Sequence, residues 1–187
     1  ALGPPPMRGP SDRRGVAGSL PTPRGTDGLE RALRSVFAQT EALERVSAVV
    51  VADNDPDGSA GPLVRRLAAE APVALTYAHA PIPGVATARN VGLAATDAPL
   101  IAFLDDDEAA SSRWLAALLE AQVQTGADVV FGPIRGRVPA DTGWATDDLE
   151  AFFGRAGPAE TGPLAEPWGC GNALMVRATA LPGPAPF

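Results

Sequence analysis

Lysine is absent from this sequence: all fifteen basic residues are arginine, set against 22 aspartates and glutamates. The net charge is −7 and the isoelectric point lies near 4.7. No broad cationic field exists to gather phosphate backbones or anionic lipid, which excludes nucleic acid as a partner. Cysteine is almost absent. Cys170 stands alone, so there is neither an internal disulfide nor a thiolate zinc site, and the chain suits a reducing, cytoplasmic compartment. The single histidine, His79, has no partner to make it a catalyst and reads as a polar surface or edge residue. Long apolar runs are missing too. The longest are strand-sized, such as 100–104, and no basic-then-apolar leader opens the chain, so membrane contact is expected to be peripheral at most, at the inner face.

What is present fits one α/β domain. A length of 187 residues with 45% hydrophobic content can bury a sizeable core, while 20 prolines and 20 glycines crowd towards both ends. Residues 1–14, with Pro4, Pro5, Pro6, Arg13 and Arg14, read as a disordered tail. Leu181 to Phe187 stops without a closing element, so the chain is expected to be a fragment, truncated at this end. Between the ends, helical and strand patterns alternate. Leu29, Ala32, Leu33, Val36 and Phe37 form a stripe predicting a helix over 28–40. Strands are predicted at 46–52, 73–78, 100–104, 128–131 and 171–177. Further helices are predicted around Leu63 to Leu67, over 85–95, after Ser111 and Ser112 as capping residues, and over 147–153. The alternation predicts a mostly parallel sheet with helices on both faces. Gly15 to Leu20 makes a poor strand, which leaves the first strand in doubt.

The chemistry concentrates at one junction. Leu100 to Leu104 is apolar at every residue, as a strand buried on both faces should be, and ends in Asp105-Asp106-Asp107-Glu108. Four consecutive acids repel one another unless a positive partner compensates. In open α/β sheets ligands bind beyond the carboxyl ends of the strands, so this loop and Asp53-Asn54-Asp55-Pro56-Asp57 should face one crevice. Two aspartates one residue apart suit a hard cation, Mg²⁺ or Mn²⁺, that completes its shell with water and phosphate oxygens. Such an ion neutralises a departing diphosphate.

The run Phe103-Leu104-Asp105-Asp106-Asp107-Glu108, with Val51-Ala52-Asp53-Asn54 and Gly84-Val85-Ala86-Thr87-Ala88-Arg89-Asn90-Val91-Gly92 before it, resembles the family 2 glycosyltransferases. Phe131-Gly132-Pro133 and Gly169-Cys170-Gly171-Asn172-Ala173-Leu174-Met175 resemble members that build bacterial exopolysaccharides. The resemblance runs from Pro21 to the end and implies a Rossmann-like GT-A fold. It assigns residues 15–135 to nucleotide-sugar binding and 136–187 to the start of an incomplete acceptor-side region. By the same resemblance, Thr22, Asp53, Arg89, Asn90, Asp105 and Asp106 bind the nucleotide sugar, with Asp53 at the base. Asp107 and Asp105 hold the metal, and Trp168, Gly171 and Asn172 border the acceptor. The implied reaction is inverting transfer from a nucleoside-diphosphate sugar, the UDP form foremost, to a hydroxyl of a saccharide or lipid-linked saccharide. The family's general base lies in an acidic motif expected beyond Phe187, so no catalytic base is assigned within the chain.

Each motif also has a plainer reading. A lone D-x-D is often a solvated loop, Asp55 and Asp57 are turn formers, and Glu108, Asp147 and Asp148 read as solvated charges. Arg89 could pair with a carboxylate, and Asn90 could satisfy a buried backbone group. Trp114 reads as core and Cys170 as a small packed side chain. Two other functions compete. A sugar-nucleotide nucleotidyltransferase would want a Gly-rich basic loop near the start, where Pro21 to Gly28 carries one arginine. A catalytically incomplete nucleotide-sugar-binding module would lack the base.

Overall fold

The structure, a computed structural model, describes residues 15–22, 26–139, 141–143, 145–157, 160–166 and 171–187. The tail assigned to 1–14, the turn at Pro23-Arg24, and Trp168, Gly169 and Cys170 lie outside the described residues.

Six strands form one sheet: β1 (Val16–Thr22), β2 (Val46–Asp53), β3 (Leu75–His79), β4 (Leu100–Leu104), β5 (Val129–Phe131) and β6 (Asn172–Val176). Their order is β3-β2-β1-β4-β6-β5. The first four pair in parallel, whereas β6 runs antiparallel to both β4 and β5. The helices are α1 (Thr26–Phe37), α2 (Gly61–Ala68), α3 (Val85–Ala94), α4 (Trp114–Thr125), α5 (Thr146–Phe153) and α6 (Arg177–Ala180). A mostly parallel sheet with helices on both faces is what the sequence predicts, and it is present.

Strand alternation divides the core in two. Val16, Leu20, Ala102, Leu104 and Leu174 face α1, α2 and α4, meeting Leu33, Leu67 and Leu115. Ala17, Ile101, Phe103, Ala173 and Met175 face the opposite side with Leu93 of α3 and Leu181.

The doubtful first strand is central. β1 lies between β2 and β4 despite Gly18, Ser19 and Pro21. Pro21 is tolerated for a local reason. The Thr22 carbonyl accepts Asn54 N–H at 2.7 Å, so alternate residues of β1 bond towards β2 and the missing Pro21 donor points towards β4. The β4 ladder has already ended, at Ser19 opposite Phe103. Tertiary pairing here overrides a weak strand propensity.

The serine cap predicted for α4 is replaced by a longer-range one. Arg113 is the N-cap and no side chain of its own turn caps the helix. Gln39, just past α1, accepts Leu115 N–H at 2.9 Å and donates to the Ser111 carbonyl at 2.6 Å. This ties the start of α4, and with it the acidic loop, to α1.

Candidate functional site

The carboxyl ends of β1, β2 and β4 reach the same edge of the sheet, ending at Thr22, Asp53 and Leu104. Because β6 is reversed, its beginning arrives there too. Asn172 pairs with Leu104, and Asp105 N–H donates to the Gly171 carbonyl at 3.0 Å. Gly171 is pressed against the acidic loop so closely that an added Cβ would overlap Asp105 Oδ2.

Pro21, Thr22, Asn54, Val85, Ala88 and Asp105 to Asp107 line a cleft of about 180 Å³ at this edge. Thr22 Oγ1 donates to Asp106 Oδ2 at 2.5 Å, joining β1 to the loop. Arg89, from α3, pairs with Asp105 Oδ1 at 3.3 Å. Its guanidinium lies 5.9 Å from the Phe103 ring centre and 5.7 Å from that of Phe187. Those two rings meet edge to face at 5.6 Å. The arginine thus lies beside both rings, and its Nε is buried without a partner among the described residues.

Burial, ahead of mutual repulsion, raises three carboxyls of the acidic loop. Burial raises the Asp105 carboxyl above its ordinary value, with Arg89 opposing and Asp107 adding. Burial likewise raises Asp106, against the Thr22 hydrogen bond. Glu108, read from the sequence as solvated, is partly buried, and desolvation followed by the Asp105 and Asp107 charges pushes it up to about 7. Asp107 is exposed, and among the described residues nothing donates to its carboxylate; the Arg31 side chain reaches only its carbonyl, at 3.5 Å.

Asp53 and Asn90 are drawn into local structure, away from the cleft. Asp53 is 1% exposed. Its Oδ1 accepts Asp55 N–H at 3.0 Å, and its Oδ2 accepts Ala60 N–H and the Tyr77 hydroxyl, each at 2.9 Å. The side chain for which the resemblance implies a contact to the base is here enclosed by its own loop. Tyr77 is correspondingly pushed up to about 12, by burial first and the Asp53 bond second. Asn90 donates to the Phe187 carbonyl at 2.9 Å and accepts Phe187 N–H at 3.2 Å, the backbone-satisfying role its plainer reading allows. His79, at the β3 end, approaches the Asp55 carbonyl at 2.9 Å.

Asn54 lies within the Val51-Ala52-Asp53-Asn54 motif, to which the sequence attaches no role for it. Its position one residue past the end of β2 was the available signal. In the structure it borders the cleft and bonds to the loop before α3.

Asn172 borders a different space. A cavity of about 890 Å³ lies between α4, β5 and residues 160–166, with Trp114, Leu118, Val130, Phe131, Leu164 and Asn172 among its walls. Asn172 accepts the Trp114 indole N–H at 2.7 Å and donates to the Pro133 carbonyl at 3.1 Å.

An open, mostly parallel sheet with an acidic loop and a helix-borne arginine gathered beyond its strand ends has the fold of the GT-A glycosyltransferases. The chain belongs to glycosyltransferase family 2, whose family model, Glycosyl transferase family 2, matches residues 21–181. Over 107 residues it is 42% identical to the succinoglycan biosynthesis protein ExoM of Rhizobium meliloti (strain 1021), covering 57% of this chain and 35% of that one. The fold is similar to TarS of S. aureus, residues 1–349 (TM-score 0.57, 19% identity, 66% of this chain and 38% of that one). It is also similar to the mannosyltransferase PcManGT of Pyrobaculum calidifontis, solved with GDP-Man and Mn²⁺ (TM-score 0.55, 25% identity, 69% of this chain and 37% of that one). The chain thus spans little more than a third of the length of these relatives. No helix among the described residues is long and apolar enough to cross a membrane.

Proposed function

We propose that this chain is the donor-binding part of a glycosyltransferase that moves a sugar, with inversion, from a nucleoside-diphosphate sugar to an acceptor hydroxyl in exopolysaccharide synthesis. The observation that carries the reading is the convergence of Thr22, Asp105, Asp106 and Asp107 on one cleft at the carboxyl edge of the sheet, in a chain of this family. Residues 15–135 form the donor side, and the larger cavity beside Asn172 takes the saccharide or lipid-linked saccharide acceptor.

The donor set fits a hard divalent cation. Asp107 offers an exposed carboxylate with no donor on it among the described residues, and Asp105 lies beside it with one oxygen turned to Arg89. Among the described residues no three His, Cys, Asp or Glu side chains form a ready cage. That suits Mg²⁺ or Mn²⁺, which take one or two carboxylates and complete their shell from phosphate and water. Asp107 and Asp105 would hold the ion, which when bound supplies positive charge to the leaving diphosphate. Arg89, beside two rings and paired with Asp105, adds a second cation from the α3 side. Thr22 fixes Asp106, so the loop presents its carboxylates without reorganising. The proton of the acceptor hydroxyl goes to a base that this chain's assigned residues do not include.

The test is calorimetric titration of UDP, with GDP as the comparison, with and without Mn²⁺, on the chain and on Asp107→Ala. Binding that requires the metal and weakens by about 10-fold or more in Asp107→Ala supports the reading, since such a loss corresponds to roughly 1.4 kcal/mol. Metal-independent binding, or none to the wild-type chain, overturns it.

A further inference from the structure

Resting on the donor reading above, we propose that Asn54 is a positioning residue, a latch that sets the α3 wall of the donor cleft. Its amide makes three short bonds to one loop. Nδ2 donates to the carbonyls of Ala80 at 2.7 Å and Ile82 at 2.8 Å, and Oδ1 accepts Gly84 N–H at 2.7 Å. Its own backbone N–H donates to the Thr22 carbonyl, also at 2.7 Å. One residue therefore joins the end of β1, the end of β2 and the entry to α3. It is 7% exposed, so water does not replace these partners.

The loop is held in a shape it would not keep unaided. Gly84 has φ +140°, a conformation open to glycine and strained for other residues. Ile82 stands 69% exposed, and Val85, which lines the cleft, 55%. Helix α3 starts at the next residue, with Val85 and Ala88 on the cleft and Arg89 against Asp105. The latch thus fixes the distance between the arginine side of the cleft and the acidic loop. Only an amide serves: it needs two donors and one acceptor at a single site. A carboxylate of the same shape would face the Ala80 and Ile82 carbonyls with no proton to give.

The core does not depend on this loop, since α3 is anchored to the sheet through Ala88 and Leu93, both buried. Loss of the latch should move the wall and leave the fold. The experiment compares the wild-type chain with Asn54→Ala, Asn54→Asp and Gly84→Ala by amide hydrogen exchange, far-UV circular dichroism and UDP titration with Mn²⁺. Expected are an unchanged dichroism spectrum, exchange over residues 82–86 faster by about 10-fold in Asn54→Ala, and UDP affinity lower by about 10-fold in all three variants. Unchanged exchange in Asn54→Ala overturns the latch. Faster exchange with wild-type UDP affinity overturns its role in positioning the donor. If the Asn54 variants fail to fold, Gly84→Ala decides through the same affinity measurement: wild-type affinity there overturns the proposal. A wild-type chain that binds no UDP while Asn54→Ala exchanges faster points to failure of the donor reading, with the latch intact.

Discussion

Among single residues, Asp53 and Glu108 make opposite use of burial. Asp53 has its charge answered by two backbone amides and a tyrosine hydroxyl, so replacing it with Asn turns a donor towards a backbone N–H that can only donate. Asp53→Asn should lower stability by about 2–4 kcal/mol and Tyr77→Phe by about 1 kcal/mol in urea melts, because a charged acceptor shared among buried donors outweighs one neutral bond. Among the described residues no donor answers Glu108. Its folded value of about 7 stands above the ordinary 4.5, so between those pH values the folded chain holds a proton that the unfolded chain has released. Stability therefore falls as pH rises through that window, and the full penalty is present above 7. Glu108→Gln should stabilise the metal-free chain at pH 8 by about 1 kcal/mol, after allowing for solvent screening, and change nothing at pH 4. The acidic run was legible as a repulsive cluster in need of a cation. The fate of each acid was not, because burial and partners depend on elements far away in sequence, such as Gly171 against Asp105.

At the level of elements, legibility followed burial pattern. Strand β4 and the stripe of α1 were readable because two-sided burial and a 3.6-residue period each leave a distinct pattern. Strand β1 was not, since Gly18, Ser19 and Pro21 carry no strand preference and gain their place from β2 and β4 on either side. The direction of β6 was equally hidden: a strand buried on both faces reads the same either way along the chain. That direction has a measurable consequence. It brings Gly171 to the acidic loop, where any side chain overlaps Asp105. Gly171→Ala should shift the Asp105 carboxylate away from Arg89 and, on the donor reading proposed above, weaken UDP binding with Mn²⁺ several-fold, with a loss of stability of about 1–3 kcal/mol from overpacking. Titration beside a thermal melt separates the two effects.

Across the whole molecule, one sheet edge collects the ends of β1, β2 and β4 and the beginning of β6, while the two apolar layers are built from other residues. That the acidic loop and a cleft meet at this edge was therefore legible from the general rule for open parallel sheets. What the rule does not say is which polar residues face the crevice and which hold its walls, and Asp53, Asn54 and Asn90 differ on that point through hydrogen bonds to Ala60, Gly84 and Phe187.

The central place of β1 also bears on how the chain is made. Val16 pairs with Leu100, so after β1 leaves the ribosome its β4 side waits for the residues up to β4, on the order of ten seconds at ordinary elongation rates. A strongly apolar, β-branched segment left unpaired that long would invite association with other nascent chains. The glycine, serine and proline that make β1 hard to read as a strand also make it a poor template for such association while it waits.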